Sequence, residues 1–235
     1  MTAVDAVRPI AVAHRGDPYR YRENTLASVA AAFAAGADAV EVDVQLTRDG
    51  VPVLLHDRTL KRLWGLDRPV ARLTAAQLAA QRFAGGERVP TLAEALKLTA
   101  EQGGRRLLID LDDAQPVAAT WAAVGAAGAE DLVAFCGPTA AMFAVRELAP
   151  GAQLSLTWKQ PAMPAAALLA DLAPRYLNPP FGLLDAGFMA RAAELGLLVS
   201  TWTVDTRRTM RRIRALGAAS ITSNRIGVLR QELDR

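Results

Sequence analysis

The chain has 235 residues, 51% of them hydrophobic and 22% charged, and carries a formal net charge of +3. The charge is spread thinly, and the densest arginine cluster, at residues 207–214, lacks the interleaved aromatics of a nucleic-acid surface. We therefore expect a plain surface helix there and no nucleic-acid partner, while the single cysteine, Cys136, excludes an intramolecular disulfide and a cysteine-rich metal site.

Short apolar runs rich in β-branched residues alternate with alanine- and leucine-rich segments from residue 10 onward. The apolar runs predict strands over 10–13, 40–46, 51–55, 107–111, 132–135, 153–157, 176–178, 198–204 and 220–222. The segments between them predict helices over 25–35, 92–102, 117–127, 140–148, 165–172, 186–195 and 207–216. The turn signal Arg48-Asp49-Gly50 joins the second and third strands, so we expect a β-hairpin there.

This alternation predicts an α/β fold whose parallel sheet is covered by helices. With the second arm of the hairpin counted as an extra, eight strands remain, which favours a (β/α)8 TIM barrel with a small β-hairpin after the second strand. An open doubly wound sheet is the alternative, but the glycine-rich phosphate loop expected after its first strand is missing, because Gly16 stands alone. We find no linker or low-complexity tract, and so predict one domain over residues 1–235.

Two pairs of carboxylates lie at the carboxyl ends of predicted strands, where barrel enzymes build their active sites. Glu41 and Asp43 lie in the second strand, and Asp110 and Asp112 end the strand after the hairpin. Since strand side chains alternate in direction, the two members of each pair point to the same face. A hard divalent cation such as Mg²⁺ or Ca²⁺ would compensate these charges, and ion pairs with arginines are the alternative.

The two histidines of the chain, His14 and His56, both follow predicted strands. A lone histidine is often a hydrogen-bonded structural residue, but two at strand ends favour a chemical role. An imidazole titrates near neutrality, so one ring can accept a proton from a nucleophile while the other donates one to a leaving alkoxide. Together with the Arg15 guanidinium, which suits a phosphate, they favour the cation over ion pairs and indicate phosphodiester hydrolysis.

The motifs that carry these residues resemble those of the glycerophosphodiester phosphodiesterase family. The early motifs are His14-Arg15-Gly16, Glu23-Asn24-Thr25, Glu41-Val42-Asp43 and His56-Asp57, and the later ones include Pro90-Thr91-Leu92 and Trp202-Thr203-Val204. The resemblance runs from about residue 10 to residue 221 and is strongest in the first 60 residues. Four motifs in the family's order and spacing make it specific.

The resemblance implies a metal-dependent hydrolase, with Mg²⁺ or Ca²⁺, that converts glycerophosphodiesters to glycerol 3-phosphate and an alcohol. In that mechanism the glycerol 2-hydroxyl attacks phosphorus and leaves a cyclic phosphate that water opens. The implied roles are metal ligation by Glu41, Asp43 and a third acid that aligns best with Asp110, general acid–base catalysis by His14 and His56, and phosphate binding by Arg15. The two histidines exchange roles between the steps, and the sequence leaves open which acts first.

Further residues have weaker assignments. We expect Glu23 to orient Arg15, and either Asn24 or Thr25 to cap the following helix. Trp202, near a strand end, is a candidate for stacking on the glycerol, although a tryptophan there is also ordinary in a core.

The chain departs from the family pattern at two places. The family commonly has a lysine two residues after its third acid, where this chain has Asp112. Either Asp110 or Asp112 could then be the third ligand, or both could bind a second ion, and Lys159 is a candidate replacement for the lysine. The family's Thr-Asp-x-Pro ending also fails, since the chain reads Thr222-Ser223-Asn224-Arg225.

These departures keep two other functions open. One is a silent module that binds a phosphodiester without turnover. The other is a lysophospholipase D-like enzyme, for which an apolar rim is expected, with Leu63, Trp64, Phe181, Leu183 and Leu184 as possible contributors. We expect a small-molecule substrate and a cytoplasmic protein without a transmembrane segment, because no apolar run approaches the ~20 residues of a membrane span. The sequence leaves the oligomeric state and the released alcohol open.

Overall fold

The structure, a computed structural model of the chain, describes residues 8–81 and 86–235. Its strands are β1 Ile10–His14, β2 Ala39–Leu46, β3 Pro52–Leu54, β4 Arg106–Asp110, β5 Val133–Gly137, β6 Leu154–Thr157, β7 Tyr176–Asn178, β8 Leu198–Thr201 and β9 Ser220–Ser223. Its α-helices are α1 Leu26–Ala34, α2 Lys61–Trp64, α3 Ala75–Ala79, α4 Leu92–Ala100, α5 Val117–Ala126, α6 Thr139–Leu148, α7 Ala166–Leu172, α8 Ala186–Glu194, α9 Arg207–Ala215 and α10 Ile226–Leu233.

The parallel strands form a closed ring. Neighbours follow the order β1, β9, β8, β7, β6, β5, β4, β2, and β2 pairs again with β1, so the sheet has no free edge among these strands. β3 pairs antiparallel with the far end of β2, where Leu46 lies opposite Pro52. The predicted (β/α)8 barrel with a hairpin after its second strand is confirmed, and the open doubly wound sheet is excluded.

Side chains on the two faces of the barrel strands differ in character. Most of those that point outward are aliphatic or aromatic, and they pack with the helices into the main hydrophobic core, as Val40, Val42, Leu107 and Ile109 do. Those that point inward line cavities at the two mouths of the barrel, and many are short and polar. This polar set includes Glu41, Asp110, Ser155, Thr157, Asn178, Ser200, Ser220 and Thr222. Stability therefore lies mainly in the layer between strands and helices.

The segment between β3 and α4 holds structure for which we predicted no element. A second hydrophobic cluster surrounds Trp64 there, with Leu60, Val70, Leu73 and Leu78 buried beside it. The helices α2 and α3 that supply part of this cluster have only four and five residues, too few for a helical periodicity to be visible in the sequence. The cluster fixes α2 beside the barrel mouth.

The strand predicted over 198–204 ends at Thr201. Beyond it the Val204 N–H donates to the carbonyl oxygen of Thr222, at 2.9 Å, so the chain bends across the end of β9. The β-branched run continues through the bend, and for this reason the prediction extended too far. The bend brings Asp205 against the loop that follows β9.

The arginine-rich helix α9 forms ion pairs and hydrogen bonds with other parts of the chain. Arg207 and Arg211 both pair with the buried carboxylate of Glu232 on α10, and Arg212 donates to the carbonyl oxygen of Leu184 at 2.8 Å. The predicted solvated face is thus partly an intrachain contact. Among the described residues, no helix combines the length and hydropathy needed to cross a bilayer.

Candidate active site

A cavity of about 520 Å³ opens at the carboxyl-terminal ends of the barrel strands. The predicted site residues that line it are His14, Arg15, Glu41, His56, Asp110, Asp112, Lys159 and Trp202. The other two predicted residues, Glu23 and Asp43, lie beside Arg15, at 2.9 and 3.0 Å from its guanidinium nitrogens. Closure of the barrel therefore brings the predicted residues to one mouth.

Three acids cluster at this cavity: Glu41 and Asp110 line it, and Asp43 lies next to them. One oxygen from each of Glu41, Asp43 and Asp110 lies within 4.8 Å of the others, because Asp43 and Asp110 are register partners on β2 and β4. Burial, reinforced by the charges of Asp43 and Asp112, raises the pKa of Asp110 to about 7, and burial next to Asp43 and Asp110 raises that of Glu41 well above its usual range. These oxygens suit a hard divalent cation, which would relieve their repulsion.

Asp112 lies outside this cluster. Its side chain is exposed, although it lines the same cavity. Of the two acids that the sequence left as candidates for the third ligand, the structure brings Asp110 together with Glu41 and Asp43.

Asn24 holds Asp43 in place. Its amide nitrogen donates to Asp43 Oδ2 at 2.7 Å, and its amide oxygen accepts from the Asp43 backbone N–H at 3.2 Å. The backbone of Asn24 is left-handed, with φ of 56°. The helix cap is supplied by the next residue, since the Thr25 hydroxyl accepts from the Ser28 N–H. The motif Glu23-Asn24-Thr25 was recognised in the sequence, but it did not predict the two hydrogen bonds between Asn24 and Asp43.

Arg15 is fixed by the acids around it. Its backbone N–H donates to Glu41 Oε2 at 3.0 Å, its Nη1 donates to Glu23 Oε1 at 2.9 Å, and its Nε lies 3.0 Å from Asp43 Oδ2. Burial opposes ionisation of Glu23, yet hydrogen bonds from Arg62 and Arg15 lower its pKa. Glu23, which we expected to orient Arg15, is therefore in direct contact with its guanidinium.

Arg62 of α2, a residue that we did not predict, connects the acid that contacts Arg15 with the acid that contacts His56. It donates to Glu23 at 2.8 Å and to both oxygens of Asp57 at 2.6 and 3.0 Å. This guanidinium lowers the pKa of Asp57 to about 2. Asp57 Oδ1 lies 2.7 Å from His56 Nδ1, so that nitrogen carries a proton and donates it to the carboxylate. Nothing local distinguishes Arg62 from the other arginines of the sequence.

His14 has a different kind of partner. Its Nδ1 lies 2.8 Å from the amide oxygen of Asn224, and its Nε2 lies 4.0 Å from Glu41 Oε2. Burial, aided by the charge of Arg15, lowers the pKa of His14, so the ring is neutral at neutral pH. Residues 222–225 stood out in the sequence only as a departure from the family pattern, so the contact between His14 and Asn224 was not predicted.

The opposite wall carries Lys159 and Trp202. The ammonium of Lys159 lies 5.5 Å from the centre of the Trp202 ring, and the indole N–H of Trp202 donates to the carbonyl oxygen of Asn178 at 3.2 Å. A cation and an aromatic surface are therefore available across the cavity from His14.

The five residues expected in an apolar rim do not line the cavity. Trp64 and Leu184 are buried, at 7% and 2% exposure. The described residues that line the cavity include none of Leu63, Trp64, Phe181, Leu183 and Leu184. Trp64 belongs to the cluster beneath α2, and Leu184 and Phe181 pack on the main core. The expectation that these five residues line the cavity was wrong, and four of them, Leu63, Trp64, Phe181 and Leu184, belong to hydrophobic clusters instead.

Sequence comparison links the chain to proteins of described function. Residues 14–228 match the profile of the glycerophosphoryl diester phosphodiesterase family. A glycerophosphodiester phosphodiesterase of Caldanaerobacter subterraneus subsp. tengcongensis is 35% identical over 114 residues. That segment covers 45% of this chain and 45% of the relative, so the alignment spans less than half of either protein.

Solved structures match over nearly the whole chain. A candidate glycerophosphoryl diester phosphodiesterase from Silicibacter pomeroyi superposes with a TM-score of 0.87 at 28% identity, covering 97% of this chain and 94% of that one. An Oleispira antarctica phosphodiesterase, solved in complex with sn-glycerol-3-phosphate, gives a TM-score of 0.88 at 24% identity, covering 97% and 98% of the two chains.

Proposed function

Because the chain belongs to the glycerophosphoryl diester phosphodiesterase family, we propose that it hydrolyses glycerophosphodiesters to glycerol 3-phosphate and an alcohol. One observation carries the proposal: two histidines with differently charged partners share one cavity with Glu41 and Asp110, and these two acids cluster with a third, Asp43. Neither hydrophobic packing nor surface ion pairing would require clustered carboxylates and two histidines at the same cavity.

We further propose that Glu41, Asp43 and Asp110 hold a divalent cation, Mg²⁺ or Ca²⁺. Their mutual repulsion and their all-oxygen donor set support this assignment. When bound, such a cation neutralises the carboxylates and polarises a phosphoryl oxygen. Asn24 and Arg15 keep Asp43 and Glu41 oriented towards it.

The partners of the two histidines suggest an order for the proton transfers. Burial and the charge of Arg15 lower the pKa of His14 and favour its neutral form, which can accept a proton. His56, which donates to Asp57, is then the acid that protonates the leaving alkoxide. His14, which donates to Asn224, is the base that takes the proton of the glycerol 2-hydroxyl as its oxygen attacks phosphorus.

The second step reverses these roles. His56 accepts a proton from the water that opens the cyclic phosphate, and His14 returns its proton to the 2-oxygen as the ring opens. Arg15 directs positive charge at the phosphate throughout, and Lys159 and Trp202 contact the rest of the substrate. We infer a small-molecule substrate because the cavity of about 520 Å³ is bounded by these side chains.

The test is release of glycerol 3-phosphate from glycerophosphocholine and glycerophosphoethanolamine, with Mg²⁺ or Ca²⁺ and with a chelator. Turnover that requires the cation supports the proposal. The variants His14→Ala and His56→Ala should each lower kcat by roughly 10²-fold or more. Glu101→Gln, which alters an exposed carboxylate at the end of α4, should keep the parent rate.

Two results would contradict the proposal. Unchanged turnover in either histidine variant would remove the acid–base assignment. A parent protein that is stabilised against heat by these phosphodiesters, yet releases no product, would instead be the silent binding module that Asp112 kept open.

A further inference from the structure

We propose that Asn224 and Asp205 are positioning residues that hold His14 in the tautomer protonated at Nδ1, leaving Nε2 as a proton acceptor inside the cavity. The importance of this tautomer for turnover rests on the proposed function, whereas the tautomer itself does not. Asn224 lies within Thr222-Ser223-Asn224-Arg225, where the chain departs from the family's Thr-Asp-x-Pro motif.

The two carboxylate oxygens of Asp205 face different donors. Oδ1 accepts from the backbone N–H of Asn224 at 2.8 Å and from the hydroxyl of Ser223 at 3.1 Å. A backbone N–H can only donate, so Oδ1 is fixed as an acceptor. Oδ2 lies 2.8 Å from the side-chain amide of Asn224. A carboxylate oxygen in that position requires the NH₂ end of the amide to face it.

The orientation of this amide decides the proton on His14. With its NH₂ group on Asp205, Asn224 must present its carbonyl oxygen to His14 Nδ1, at 2.8 Å. A carbonyl oxygen only accepts, so Nδ1 must carry the hydrogen. In a neutral imidazole the other nitrogen then has a free lone pair, and Nε2 is the nitrogen that lies 4.0 Å from Glu41 Oε2.

Asp205 reaches this position because the chain bends after β8, as described above. Asp205 and Asn224 lie in the loops after β8 and β9, and β9 pairs with β1, the strand that ends at His14. The three residues therefore meet through the closure of the barrel. His14 and Asn224 are 210 residues apart in sequence.

The substitution Asp205→Asn gives a sharp test. The backbone N–H of Asn224 would hold the new amide's oxygen, so its NH₂ group would face the Asn224 side chain. Asn224 would relieve the contact between two donors by turning its amide over, which would present NH₂ to His14 Nδ1. We expect the hydrogen of His14 to move to Nε2.

The measurement is ¹⁵N NMR of the histidine rings in the ligand-free, chelated protein at a pH at which His14 is neutral. Ring nitrogens with and without hydrogen have well-separated resonances, and the sequence has only two histidines, so a His56→Ala sample assigns the spectrum. The parent should show hydrogen on Nδ1 of His14, and Asp205→Asn should show it on Nε2. Ser223→Ala removes a bond to Asp205 without touching the path to His14 and should keep the parent tautomer.

Asn224→Ala supplies a second variant if Asp205→Asn does not fold. Without the fixed carbonyl oxygen, both tautomers should become populated. Hydrogen on Nε2 in the parent would overturn the proposal, as would a parent-like tautomer in both variants.

In the activity assay, Asp205→Asn should lower kcat by roughly 10²-fold to 10⁴-fold and leave KM nearly unchanged. If the tautomers behave as expected but the parent hydrolyses no phosphodiester, the proposed function fails and the positioning proposal stands.

Discussion

Replacing Asp110 by Asn should stabilise the protein in the presence of a chelator. The pKa of this carboxyl rises from 3.8 to about 7, and burial is the main cause. Between these two values the unfolded chain is ionised while the folded chain keeps its proton, so stability falls as the pH rises and the whole penalty is present above about pH 7. At about 1.36 kcal/mol per pKa unit, ionising Asp110 costs the folded state about 4 kcal/mol.

The corresponding change in melting temperature is measurable. A domain of this size shifts its Tm by about 2–4 °C for each kcal/mol, so Asp110→Asn should raise the Tm of the chelated protein by up to about 16 °C at pH 7.5. The gain should shrink as the pH is lowered towards 4. A saturating cation should narrow the difference, because a ligand at a hundred times its Kd stabilises the parent by about 2.7 kcal/mol and the variant has lost one ligand.

Thermal unfolding followed by circular dichroism, at several pH values and with chelator, Mg²⁺ or Ca²⁺, is the assay. Asp112→Asn is the matched control, since it removes an exposed carboxylate two residues away and should shift the Tm far less. A lower Tm of Asp110→Asn in chelator at pH 7.5 would refute the reasoning, because the three acids could not then repel one another as their distances require.

Three further predictions concern the surroundings of the site. Arg62→Gln should lower kcat by roughly 10-fold to 100-fold, because it removes the planar guanidinium that binds both Glu23 and Asp57, and Arg62→Lys should give an intermediate rate. Equal rates for the parent and the Gln variant would contradict this. Asp112→Lys should raise kcat/KM for glycerophosphocholine by about fivefold, or about 1 kcal/mol, because it restores a cation directed at phosphate; a loss of activity would count against that role. Gly16→Ala should lower the free energy of unfolding measured in urea by at least about 2 kcal/mol, since φ is +91° and a Cβ would lie 2.6 Å from the Ser28 carbonyl carbon. Gly50→Ala, with φ of +77° and open space, should cost less, and similar losses in the two variants would show that the close approach is unimportant.

The barrel could be predicted from the sequence because its outward strand faces are uninterrupted apolar runs. The run 176–178 coincides with β7, and most other strands differ from prediction by one or two residues. The helices α2 and α3 could not be predicted, since each is barely longer than one helical turn. No element was predicted for the residues of α10 either, which begins only three positions after the last residue of β9.

The candidate site was predictable to the extent that its groups sit on strands within recognisable motifs. His14, Glu41 and Asp43 follow from the period of two along β1 and β2. The partners of these groups were not predictable in the same way. Asn224 and Arg62 reach the site from the last strand loop and from a four-residue helix, and only tertiary closure brings them there.

Because the two faces of the barrel strands differ, the residues that stabilise the fold are largely distinct from those that line the candidate active site. The aliphatic side chains that pack between the strands and the helices contribute most of the folding free energy. The barrel interior instead presents hydroxyl, amide and carboxyl groups, which this packing does not require. A descendant of this chain could exchange its inward groups one by one and still keep its architecture. Resemblance of scaffold among such barrels therefore says little about turnover, which the handful of groups at one mouth decides.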